Sequence, residues 1–263
     1  MLDYKRAAAL FEDRADSGEY FDSASAERSR STLRRVVGEE ERRPLFLLGE
    51  PGVGKSHMLE TVAEEMRGER LVVHLKEPFF EPKDFLERLL REIGEKREGG
   101  LDGMKRAAVD AYGRKEHLIM IDEAQILDEK PLEFLRILAD TKAFRLLLSM
   151  HRKEGEEILA KPHFRTRSHR VVEIGALSAD EVRRYVEGRL AGNGLEEVSR
   201  LFEAKHFKRI YRYTGGNFRT LKRMVQTLFE IMDYAKSEGL TKYAVPNGCT
   251  IDMAALDLEL IDE

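Results

Sequence analysis

The run Gly49-Glu50-Pro51-Gly52-Val53-Gly54-Lys55-Ser56 has the spacing G-x-x-x-x-G-K-S and is followed directly by His57. Glycines at these places let backbone N–H groups turn inward around a phosphate, where a side chain would obstruct them. A helix starting near Lys55 would point its positive end at the same phosphate. Lys55 is then expected to reach the β- and γ-phosphates and Ser56 to ligate Mg²⁺. The whole stretch Gly49, Glu50, Pro51, Gly52, Val53, Gly54, Lys55, Ser56 and His57 is predicted to bind nucleotide.

A second group of reactive residues closes the apolar run Leu118-Ile119-Met120-Ile121, which ends in Asp122-Glu123. Such a strand delivers both carboxylates at its C-terminal edge, where ligands bind in α/β sheets. Asp122 is predicted to hold Mg²⁺ through its water shell, and Glu123 to polarise the water that attacks the γ-phosphate.

Both groups need elements that hold them at one edge. Short apolar runs, read as strands, occur at 44–48, 71–75, 118–121, 144–149 and 171–174. Amphipathic segments lie between them, among them 56–67, with Met58, Leu59, Val62 and Met66 in one stripe, and a helix near 82–94. Residues 95–103 are polar and read as a surface loop. Alternating strands and helices predict an α/β core with a parallel sheet of about five strands, covered on both faces, over 43–175. Residues 1–42 read as an N-terminal helical segment. After Gly175 the pattern becomes all-helical, starting from the capping box Ser178-Ala179-Asp180-Glu181. Helices are predicted at 179–191, 195–212 and 217–237, which makes 176–238 a helical lid. Residues 239–263 form an acidic tail.

The 263 residues suffice for this core and lid. Apolar residues at 42% and charged residues at 36% describe a folded, water-compatible chain. A net charge of -4 provides no general attraction to nucleic acid, and the single cysteine, Cys249, fits a reducing compartment. Met1–Leu10 lacks an apolar leader, and no apolar run approaches the ~20 residues of a membrane span, so a cytoplasmic location is expected.

The phosphate loop, the box Asp122-Glu123-Ala124-Gln125 and the helical lid together resemble the AAA+ ATPases. Within that group the box is similar to those of the ExeA (GspA-type) secretion ATPases and of transposition regulators of the TnsC kind. The resemblance implies an AAA+ module hydrolysing ATP with Mg²⁺, with nucleotide between core and lid. It also implies two arginines that stabilise γ-phosphoryl charge. Thr166-Arg167-Ser168, ahead of the fifth strand, resembles the segment that lends an arginine finger to a neighbouring subunit, so a homo-oligomer is implied. Arg165 competes for that role, and a solvated basic loop is the alternative. Thr214-Gly215-Gly216-Asn217-Phe218-Arg219 resembles the sensor 2 motif, with Arg219 as its arginine. The fourth strand ends Ser149-Met150-His151, where the secretion relatives carry glycine-glutamine; Ser149 or His151 is the candidate for sensor 1. Tyr20-Phe21 could flank adenine or pack under the N-terminal helix.

Two uses of ATP follow from the resemblance. One is a motor for a secretion, pilus or DNA-uptake machine; the other is a DNA-bound transposition regulator that recruits a transposase. A loader for another complex is a third. Lys205, Phe207, Lys208, Arg209, Tyr211, Arg212 and Tyr213 interleave basic and aromatic residues, and Arg28, Arg30, Arg34 and Arg35 form another basic set. Duplex DNA is therefore a possible partner, against the alternative of solvated helix faces balanced by nearby acids.

Overall fold

The computed structural model describes residues 2–12, 23–95, 99–115 and 117–261. In chain order its elements begin with α1 (Tyr4–Ala9), α2 (Ala24–Val37), β1 (Leu45–Gly49), α3 (Lys55–Met66), β2 (Leu71–Leu75), α4 (Pro82–Glu92) and α5 (Gly100–Gly113). There follow β3 (His117–Ile121), a short 3-10 turn (Ala124–Ile126), α6 (Glu129–Asp140), β4 (Arg145–His151), α7 (Arg152–Ala160), α8 (Pro162–Arg165) and β5 (Arg170–Glu173). The rest is helical: α9 (Ala179–Ala191), α10 (Glu196–Ser199), α11 (Ala204–Thr214), α12 (Phe218–Ser237) and α13 (Gly248–Asp257).

Among the described residues, five strands form one parallel sheet in the order β2-β3-β4-β1-β5. The central strands β1 and β3 are buried along their whole length, which is why they read as unbroken apolar runs rather than alternating ones. Parallel pairing brings the strand ends Gly49, Leu75, Ile121, His151 and Glu173 to one edge. α3 lays Met58, Leu59, Val62, Ala63 and Met66 into the core at helical spacing.

The chain divides into two compact units, Ala26–Ile174 and Met1–Ser25 with Gly175–Glu263. The sheet lies in the first. In the second, Tyr4 and Ala7 of α1 and Phe11 just after it join a core built with α9, α11, α12 and α13. The N-terminal 42 residues are thus shared between units, and α13 brings Ile251, Ala254 and Ala255 of the acidic C-terminal stretch into the helical core.

Two helices differ from the reading of the sequence. The polar stretch ends at Gly99 rather than at 103, because α5 begins at Gly100 and buries Met104, Ala108 and Tyr112 on one face. The helix expected over 195–212 is divided: Glu203 opens α11, its backbone N–H bonded to His206 Nδ1 at 3.1 Å, and Phe202 is buried at the break. The turn Gly215-Gly216 does separate α11 from α12. Gly216 sits at φ 73°, where a Cβ would fall 1.9 Å from the Leu177 carbonyl oxygen, so only glycine fits. Among the described residues no helix is long and apolar enough to cross a membrane.

Candidate nucleotide site

The loop between β1 and α3 turns through Gly52 at φ 79° and Gly54 at φ 101°, conformations that a side chain would strain. Gly54 caps α3 without a side chain, so the first N–H groups of the helix have no capping oxygen in its place. Lys55 opens the helix and is only 5% exposed. Its Nζ donates to Gly49 O at 2.9 Å and Glu50 O at 3.1 Å, which holds the ammonium inside the curve of the loop. Ser56 is exposed beside it, and His57 is half-buried with its Nδ1 3.9 Å from Glu60.

The second part of the site stands at the same sheet edge. The Asp122 N–H bonds to Leu75 O at 3.0 Å, extending the β2–β3 ladder by one residue and burying the carboxylate. Asp122 Oδ1 accepts the Glu123 N–H at 2.9 Å. Glu123 itself lies in the left-handed region, φ 50° and ψ 34°, a conformation that costs a non-glycine residue of order 1 kcal/mol. That bend turns the chain from the strand into the 3-10 turn and leaves the Glu123 side chain half-exposed. Ser149 lies one residue past the Ile121–Leu148 pairing; it is fully buried, and its hydroxyl has no hydrogen-bond partner among the described residues. On β2, burial holds the His74 imidazole below its usual range, with the nearby Asp122 charge pulling the other way.

This donor set suits magnesium nucleotide. A hydroxyl and a carboxylate are the hard oxygen ligands Mg²⁺ prefers, and the loop offers N–H groups and an ammonium to phosphate. Among the described residues no cluster of three or more His, Cys, Asp or Glu could hold a metal by itself.

The structure brings Lys55, Asp122, Glu123 and Ser149 to one edge of one unit. It places Arg167 elsewhere. Arg167 follows α8 and precedes β5, whose first residue, Arg170, bonds to Pro44 O at 2.9 Å at the opposite edge of the sheet. There its Nε lies 3.2 Å from Asp140 Oδ1 and its Nη1 donates to His163 O at 2.7 Å. Arg219 is in the other unit, in the first turn of α12, whose cap is the Asn217 side chain accepting the Thr220 N–H at 3.2 Å. Tyr20 and Phe21 lie outside the described residues.

Two participants were not anticipated. Gln125 donates its side-chain N–H to Glu123 Oε2 and accepts the His151 N–H at 3.3 Å. Arg152, the first residue of α7, pairs with Glu173 at 3.1 Å and lies 3.7 Å from Glu50 of the loop. Gln125 had a weak signal, since it stands two residues beyond Glu123. Arg152 had none, because its partners come from strand register.

The order of the sheet, the glycine-rich loop after β1 and the acidic pair after β3 are the arrangement of a P-loop nucleotide-binding fold. Residues 38–159 match the family described as an AAA domain. The chain is similar to the Aeropyrum pernix ORC2 protein in its ADPNP-ADP complexes, with TM-score 0.60 and 15% identity over 94% of this chain and 70% of that one. It is similar to the Thermotoga maritima RuvB Holliday junction branch migration motor, with TM-score 0.58 and 18% identity over 97% and 76%. With Drosophila ORC bound to DNA the TM-score is 0.68 and the identity 13%, over 95% of this chain and 64% of that one, less than two thirds of its length. No curated protein sequence matches. The chain has the AAA+ fold, with the match to the AAA domain lying over residues 38–159.

Proposed function

We propose that the protein hydrolyses ATP with Mg²⁺ by in-line attack of water on the γ-phosphate, and that it does so as a homo-oligomer. One observation carries this reading: a buried lysine inside the phosphate loop and the Asp122-Glu123 pair stand at the same sheet edge. Lys55 and the loop N–H groups bind the β- and γ-phosphates. Ser56 and Asp122 would hold Mg²⁺, which supplies positive charge to the phosphate oxygens. Glu123 takes the proton of the attacking water as the new P–O bond forms and the bond to ADP breaks. Ser149, with its unpartnered hydroxyl beside Asp122, is the sensor 1 candidate, and Arg219 that for sensor 2. Arg167 stands at the edge away from its own site, a placement that suits donation to a neighbour.

The resemblance of the Asp-Glu-Ala-Gln box to the secretion ATPases supports a cytoplasmic motor for a secretion, pilus or DNA-uptake machine. A specific observation favours the alternative, a DNA-directed regulator of the TnsC kind. Lys205, Lys208, Arg209 and Arg212 follow i, i+3, i+4, i+7 spacing and line one cleft on α11 together with Gly248. Glu203 pairs with Lys205 and Asp252 with Arg209, and Arg212 donates to the Tyr213 hydroxyl that bonds Asp252, whereas Lys208 has no ion pair among the described residues. The Drosophila ORC relative is bound to DNA, and RuvB is a Holliday junction motor.

The deciding experiment is duplex-DNA binding by the Glu123→Gln protein, with and without ATP–Mg²⁺, over a salt series. Glu123→Gln is expected to bind ATP without turning it over; turnover equal to wild type would remove Glu123 from its role. ATP-dependent DNA binding that weakens with salt would establish phosphate contacts and the DNA-directed reading. No binding at low salt, with ATP-driven assembly intact, would leave the protein-directed machine.

A further inference from the structure

Glu123 has a long side chain with three free torsions, and an unrestrained carboxylate would sample many positions, few of them within reach of a given water. Its surroundings limit that freedom. One carboxylate oxygen, Oε2, accepts the Gln125 side-chain N–H and lies 3.7 Å from His151 Nε2. The other end of the Gln125 amide accepts the main-chain N–H of His151 at 3.3 Å. That N–H belongs to the last residue of β4, so it is fixed by the sheet. The left-handed backbone at Glu123 and the single 3-10 turn after it are what bring residue 125 back alongside residue 123.

The anchor continues beyond β4. His151 is the cap of α7, and the next residue, Arg152, reaches Glu173 at the end of β5 and Glu50 in the phosphate loop. The bridge from Glu123 therefore ends on the junction that also touches the phosphate loop.

We propose that Gln125 is a positioning residue for hydrolysis: its amide spans Glu123 and the end of β4 and occupies Oε2, so that Oε1 is the oxygen presented to water. The inference rests on the reading of Glu123 as the general base. An amide suits this task because it donates and accepts at once, and it carries no charge to compete with the proton in transit. Asparagine is one methylene shorter and cannot span the same two groups.

Steady-state ATP hydrolysis by wild type, Gln125→Ala, Gln125→Met and Gln125→Asn tests this, with Glu123→Gln measured in parallel and binding of a non-hydrolysable ATP analogue as the check on folding. All three Gln125 variants are expected to lose kcat by on the order of 10- to 100-fold, with KM and analogue affinity near wild type. Methionine fills the space of glutamine, so a loss equal to that of alanine assigns the effect to the hydrogen bonds. Activity kept by Gln125→Met and lost by Gln125→Ala would mean packing and overturn the proposal. So would unchanged or raised kcat in all three, or a loss confined to KM. If Gln125→Ala alone is unstable, Gln125→Met carries the test. Full turnover by Glu123→Gln would overturn the reading of the base itself, whereas a dead Glu123→Gln beside a normal Gln125→Met would overturn only the positioning role.

Discussion

Lys55 is a charge the fold buries at a cost, and it is tolerated because two loop carbonyls accept from its ammonium. The same donors are what a nucleotide phosphate would compete for. A hydrogen bond to a charged group contributes about 1.5–3 kcal/mol, so losing the ammonium should weaken ATP binding by roughly 10- to 150-fold. Lys55→Ala is therefore expected to lose tight binding in a calorimetric titration with ATP–Mg²⁺. Affinity within a few-fold of wild type would mean that the loop N–H groups alone hold the phosphates. The residue types of this site were legible in the chain, because G-x-x-x-x-G-K-S has few physical uses other than a phosphate cradle. The hydrogen bond from Gln125 was not legible, since it depends on a left-handed glutamate that no local preference predicts.

At the scale of elements, the start of α9 shows a local signal with a distant partner. Ser178 and Glu181 form the capping box that their spacing predicts, with Ser178 N–H and Oγ each 2.8 Å from Glu181 Oε2. The other carboxylate oxygen accepts the Ala24 N–H at 2.7 Å, which fixes the first residue of α2 to the start of α9 within the helical unit. Burial pushes the Glu181 carboxyl up, and the donors from Ser178, Ala24 and Ser25 outweigh it, leaving the pKa below the usual carboxylate range. A carboxylate whose folded pKa is depressed stabilises the protein above its unfolded pKa, and that contribution fades as pH falls through the folded value. Glu181→Ala should cost about 1–3 kcal/mol near neutral pH, and the gap from wild type should narrow in urea melts carried toward pH 3. A gap independent of pH would assign the loss to packing. The same scale explains the differences in helix limits. α5 was hidden because glycines at 99, 100 and 103 read as loop, and only packing of Met104, Ala108 and Tyr112 outweighs their low propensity.

At the scale of the molecule, the arginine finger proposed at Arg167 would make activity depend on assembly. In its own chain it is paired with Asp140 and stands at the sheet edge opposite the phosphate loop. If it serves a neighbour, Arg167→Ala and Glu123→Gln should each abolish turnover, while a mixture of the two should recover part of it. Some interfaces in mixed assemblies would join an intact Glu123 to an intact Arg167. No recovery on mixing, with co-assembly shown by light scattering, would remove the role in trans.

The sequence by itself determined the class of chemistry and the kind of fold. Phosphate cradling needs glycines and a lysine in a strict spacing, and buried parallel strands need unbroken apolar runs; both are properties of contiguous residues. Tertiary structure decided which residues meet across the sheet. Ser149 comes beside Asp122, Gln125 reaches His151, and Arg152 joins Glu50 to Glu173 only because β3, β4, β1 and β5 pair in one register. Such contacts are set by strand order and a one-residue change of register would undo them, so they leave no periodic trace in the chain.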